Sequence, residues 1–113
     1  MTVEEFFVDF LSDALDVPVS GDIPDAMPES FVTLEQTGSR TENYLYHPTL
    51  AVQSWASSRA DASALNEKVK AAMARAIEQP QISRCQLDTD YNFPELEMKH
   101  PRYQAIFEIT YLR

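Results

Sequence analysis

The stretch Arg102-Tyr103-Gln104-Ala105-Ile106-Phe107-Glu108-Ile109-Thr110-Tyr111-Leu112 decides the fold class. Its side chains alternate between two faces, the signature of a β-strand. Tyr103, Ala105, Phe107, Ile109 and Tyr111 share one face, and Gln104, Ile106, Glu108, Thr110 and Leu112 the other. Both faces hold large apolar residues. Such a strand is central to its sheet, or has one face under helix and the other under a second subunit.

The pattern extends outward from this strand. Residues 91–101 contain Pro94 and Pro101 and read as a loop, and residues 82–90 read as a third strand before it. Residues 57–78 form the strongest helical segment. Ser57 or Ser58 caps it, and Asp61 stands in its first turn. Ala62, Leu65, Val69, Ala72, Met73, Ala76 and Ile77 make its buried stripe, and Pro80 prevents its continuation. Residues 49–56 read as a strand with Leu50 and Val52 on one face and Ala51 and Trp55 on the other. Residues 31–37 alternate likewise and end at Gly38. Between these strands, residues 39–48 are too many for a tight turn and read as an extended hairpin arm or loop.

At the N-terminal side, residues 2–16 place Val3, Phe6, Phe7, Phe10, Leu11, Ala14 and Leu15 on one helical face. Thr2 and Glu5 have the spacing of a capping box, and Pro18 stops the helix. Residues 17–20 allow a short extended piece, and the proline-containing remainder up to Ser30 is loop. The order is α-β-β-α-β-β. It predicts one α+β domain over residues 1–113, with two helices on a largely antiparallel or mixed four-stranded sheet.

The 113 residues include 18 acids and 9 bases, a formal net charge of −9. A binder that neutralises phosphates needs a basic face, so this balance argues against nucleic-acid binding. The asymmetry is sharper than the total. Residues 1–57 carry ten acids and one base, Arg40, whereas residues 58–113 are neutral. The surplus reads as a solvated face that aids solubility, or as a surface that repels something anionic or meets a basic partner. One cysteine, Cys85, excludes an internal disulfide and suits a reducing compartment. Residues 1–5 offer no positive n-region, so no secretory signal is expected. No apolar run approaches the roughly 20 residues that span a bilayer.

Catalytic and metal-binding patterns are weak. Cys85 lies mid-strand, and His47 and His100 each precede a proline, with no partner suggested for a nucleophile or base. Asp88-Thr89-Asp90-Tyr91-Asn92 opens like a calcium loop, but Phe93 occupies the glycine position and Lys99 the glutamate position. Asp22, Asp25 and Glu29 read as a solvated acidic loop. One cysteine and two scattered histidines build no zinc site, and two glycines build no phosphate cradle. No enzyme, cofactor or metal is expected. What remains is surface. Tyr44, Tyr46, Tyr91 and Phe93 are aromatic residues in loops, where interface anchors concentrate. Trp55 and Tyr103 either complete the core under the second helix or join that surface.

The chain resembles the small tail-terminator proteins of long-tailed bacteriophages, also called tail completion, minor capsid or head–tail joining proteins. The resemblance rests on several segments in order: the opening helix with Val17-Pro18-Val19, the strand 28–38 (PESFVTLEQTG), AVQSWA at 51–56 and ALNEKVK at 64–70. Tyr91-Asn92-Phe93-Pro94 and RYQAIFEI at 102–109 complete it. It implies an α+β subunit that assembles into a ring, usually of six, at the head-proximal end of the tail tube. There the ring ends tube growth and joins the head connector, and the genome passes through its lumen without specific binding. The implied partners are further copies of the chain, the tail tube protein and the head connector or stopper. The implied location is the tail–neck junction of the virion, and the host cytoplasm during assembly. It also makes the arm after Gly38 a contact region, with Arg40, Tyr44, Tyr46, His47, Tyr91 and Phe93 as candidate subunit-interface residues. The alternatives are a stopper on the head side of the same joint, or a cytoplasmic protein-binding module with the arm as its docking edge.

Overall fold

The computed structural model describes residues 1–97 and 99–112; Met98, inside the loop expected over 91–101, and Arg113 lie outside the described residues. The elements in chain order are α1 (Val3–Ala14), β1 (Val19–Ser20), β2 (Phe31–Glu42), β3 (Leu45–Trp55), α2 (Arg59–Ala74), a 3-10 turn (Ala76–Glu78), β4 (Ile82–Asn92) and β5 (Arg102–Tyr111). The strands form one sheet in the order β1-β2-β3-β5-β4. β1 runs parallel to β2, and the other pairings are antiparallel. The α+β class and element order match the sequence reading. The fifth strand is the two-residue β1, which pairs Val19 with Val32. β5 lies between β3 and β4, so it is central to the sheet, one of the two readings of its apolar faces.

α1 starts on a complete capping box. The Glu5 backbone N–H donates to the Thr2 hydroxyl at 3.1 Å, and the Thr2 N–H donates to the Glu5 carboxylate at 2.9 Å. Phe7 and Leu11 from α1, with Val69 and Met73 from α2, pack on Val32, Leu34, Leu50, Val52, Ala105, Phe107 and Ile109. These side chains are buried, and each large one contributes about 1.5–3 kcal/mol through loss of apolar surface from water. One sheet face thus meets both helices. No helix among the described residues is long and apolar enough to cross a membrane.

Three expectations are corrected. β2 does not end at Gly38. It continues to Glu42, with a register shift between Gln36 and Gly38 that leaves Thr37 as the extra residue. A glycine weakens an isolated strand, but within a sheet it marks a bulge. Ile77, expected in the buried stripe, is 58% exposed, while Ala76 is buried. The α-helix gives way to a 3-10 turn there, and three residues per turn put Ala76 below Met73 where an α-helix would put Ile77. Trp55 is buried, but on the face away from the helices, so it does not complete the core under α2.

α2 is also clasped to β4 by polar contacts. Asn66 Nδ2 and Lys70 Nζ each donate to Asp90 Oδ2 at 2.9 Å, and Lys70 lies 3.1 Å from Glu67. The Lys70 contact, aided by Asn66, holds the Asp90 carboxyl below the usual aspartate range. Asp90 and Glu67 in turn raise the Lys70 ammonium. A carboxyl lowered in the folded state stabilises above its ordinary value, and that contribution is lost as pH falls through the lowered one. Asp90→Asn is therefore expected to cost about 1 kcal/mol at neutral pH. The gap to wild type in urea midpoint should close below the ordinary aspartate value of 3.8. A gap that persists unchanged in acid would refute this role.

Candidate assembly surface

The structure places the six candidate residues at two ends of the sheet. Arg40, Tyr44, Tyr46 and His47 belong to the β2–β3 hairpin, while Tyr91 and Phe93 lie near the far end of β3. Of the two readings of residues 39–48, extended hairpin arm or loop, the structure has the hairpin arm. Its residues pair across the hairpin, Ser39 with Pro48, Arg40 with His47, Thr41 with Tyr46 and Glu42 with Leu45. Only Asn43 and Tyr44 form the turn, with φ of 53° and 65°. Positive φ at both central residues matches a two-residue type I′ hairpin turn, whose twist suits the flanking strands. Asn tolerates this left-handed region, but tyrosine is uncommon there.

The base of the arm is tied to the body, and its tip is free. Gln36 Nε2 donates to the Tyr46 hydroxyl at 2.6 Å, and His47 Nδ1 lies 2.9 Å from the Thr110 hydroxyl. Tyr46 also faces Tyr111 across the β3–β5 ladder, and Pro48 is fully buried. The Gln36 backbone N–H, on the outer edge of β2, donates to the Glu4 carboxylate at 2.6 Å, which blunts that stretch of edge. Beyond these anchors, Arg40 pairs with Glu42 at 2.7 Å with both side chains mostly in water, so the pair contributes little. Tyr44 is fully exposed (102%), and Leu45 beside it is exposed. The molecule measures 43 × 24 × 24 Å.

At the other end, Arg102 is stacked between two rings. Its guanidinium lies 4.7 Å from the centroid of Trp55 and 4.3 Å from that of Phe93. Phe93 meets Tyr91 edge-on at 5.7 Å, and Trp55 stacks on Phe31 at 5.3 Å with His100 tilted against both rings. A chain of hydrogen bonds crosses four strands below this cluster. The Trp55 indole N–H donates to the Thr33 hydroxyl, which donates to Gln53 Oε1. Gln53 Nε2 donates to Gln104 Oε1, and Gln104 Nε2 to the Tyr91 hydroxyl. Thr33, Gln53 and Gln104 are buried, so each link satisfies a group that would otherwise be costly. Alternation places Gln104 opposite the core face, but only the register aligns it with Gln53 and Tyr91.

A third feature is invisible in the sequence. Residues of α1, of α2 and of the segments that follow each helix line an open groove of about 1120 Å³. Phe6, Phe10, Leu15 and Ala72 line it with apolar surface. Asp9, Asp13 and Asp16 stand on the α1 side, and Lys68 and the Arg75–Glu78 ion pair on the α2 side. α1 has no basic residue in its last turn, so Asp13 stands near the negative end of the helix dipole without compensation there.

Among the described residues, no group of three or more His, Cys, Asp or Glu side chains could hold a metal ion. The Cys85 thiol packs against the core, and burial pushes it up to about 12. It therefore stays protonated at neutral pH. His100 is committed to ring contacts with Phe31 and Trp55. The features above suit contact between surfaces: a projecting aromatic tip, an aromatic end patch and an apolar groove with charged walls. No protein-family model matches the chain, and no curated protein matches it in sequence.

Proposed function

We propose that the chain is a structural subunit of a long-tailed phage or prophage virion. In this reading it forms a ring, of six by the resemblance, at the head-proximal end of the tail tube, ends tube growth and joins the tail to the head connector. The observation that supports it most is the hairpin anchored at Tyr46 and His47 that presents Tyr44 wholly to water. A large apolar ring held outward at a strained backbone position has no role in the stability of its own subunit. It makes sense as a contact with another one.

Ring closure by one repeated heterologous contact needs a projecting element and a different receiving face. The hairpin is such an element. The acid surplus in residues 1–57 fits a channel through which DNA must slide, because like charge keeps phosphate from sticking.

Sedimentation from micromolar to millimolar protein, alone and with polymerised tail tubes, tests the reading. The expected result is growth of a single closed species with concentration, or its capture on tube ends. Deleting residues 39–46 is expected to leave a monomer. A wild-type chain that stays monomeric in solution and ignores tubes, or a deletion that leaves ring mass unchanged, would refute it.

A further inference from the structure

We infer that the receiving face is the α1–α2 groove, and that the hairpin tip of one copy seats in the groove of the next. This rests on the assembly reading above and names the surface that the reading leaves open.

Shape is the first argument. The tip offers two exposed apolar side chains, Tyr44 and Leu45, at the end of a two-stranded hairpin paired along its length. The groove offers an apolar floor, Phe6, Phe10, Leu15 and Ala72, in a volume several times that of a tyrosine ring. Tyr44 is fully exposed in its own subunit, so tip and groove do not meet within one molecule. Seating the knob removes both apolar surfaces from water at once.

Charge is the second argument. The α1 wall carries Asp9 and Asp13, like charges one helical turn apart, and Asp16 follows just beyond the helix end. Arg40, the single base among residues 1–57, stands on the hairpin that would enter the groove. Glu42 beside it matches Lys68 on the α2 wall. The exposed Arg40–Glu42 pair is worth little in water and is readily exchanged for contacts with the two walls. Tip and groove are different surfaces, so the contact is head-to-tail and propagates around a ring.

The test places p-benzoylphenylalanine at position 44, which keeps an aromatic knob, and maps photo-cross-links in the full chain by mass spectrometry. The expected partners are groove residues of a second copy, on residues 6–16 and 68–79. Ala71→Trp fills the groove from an exposed helix position and is expected to abolish association while circular dichroism stays unchanged. Arg40→Glu should weaken association roughly tenfold, and adding Asp13→Lys should restore it. Association with cross-links elsewhere, or association that survives Ala71→Trp, overturns the groove and leaves the ring reading standing. A wild-type chain that associates neither with itself in solution nor with tube ends overturns both.

Discussion

Replacing Trp55 by alanine is expected to lower unfolding free energy by about 3–5 kcal/mol, the range for truncating a large buried aromatic side chain. Urea denaturation at neutral pH measures it. Trp55 is 1% exposed although no helix covers it. Its cover consists of Phe31, His100 and the Arg102 guanidinium, which is itself held against Phe93. Alanine removes the surface on which all three rest. It also removes the donor to Thr33 and so frees one end of the hydrogen-bond chain through Gln53, Gln104 and Tyr91. Trp55→Phe keeps the stack on Phe31 and loses the N–H, so it should cost about 1–2 kcal/mol. A loss below about 1 kcal/mol for Trp55→Ala would show that the second face is not a core.

The second large effect separates folding from assembly by sign. Tyr44→Gly is expected to raise stability by about 1 kcal/mol, because a left-handed residue without Cβ removes steric strain and Asn-Gly suits a type I′ turn. The same substitution removes the exposed ring and is expected to abolish self-association. Denaturation midpoints and sedimentation read the two effects on one sample. A gain in stability with association intact would assign the tyrosine no assembly role. A loss of stability would show that the ring supports its own hairpin. Tyr46→Phe offers the contrast. It removes the hydroxyl that accepts from Gln36 and should act on the base of the arm rather than on association.

Much of the fold was written in period and capping. The period-two patterns over residues 102–112 and 49–56 specify strands because alternate side chains must face alternate sides of a pleated sheet. The capping box at Thr2 and the cap at Ser58 start helices through local hydrogen bonds that need no distant partner. Apolar residues on both faces of β5 left a central strand or a face covered by a second subunit, and the sheet order places it inside the sheet. Such signals are local, and a single chain of residues contains them whole.

What tertiary structure alone decided depends on residues far apart in the chain. Ile77 lies outside the core because the helix end tightens into a 3-10 turn that places Ala76 rather than Ile77 below Met73. The arm became a ladder rather than a loop because β5 fixes β3 in place through Tyr46 and Tyr111, and β3 then templates β2 past the bulge at Gly38. The α1–α2 groove is a gap between surfaces, set by how two helices settle on one sheet, and a gap has no residues of its own in sequence. Local chemistry therefore determined the elements and the exposed aromatic tip, whereas the register and the angle between helices determined where that tip can find a receiving surface.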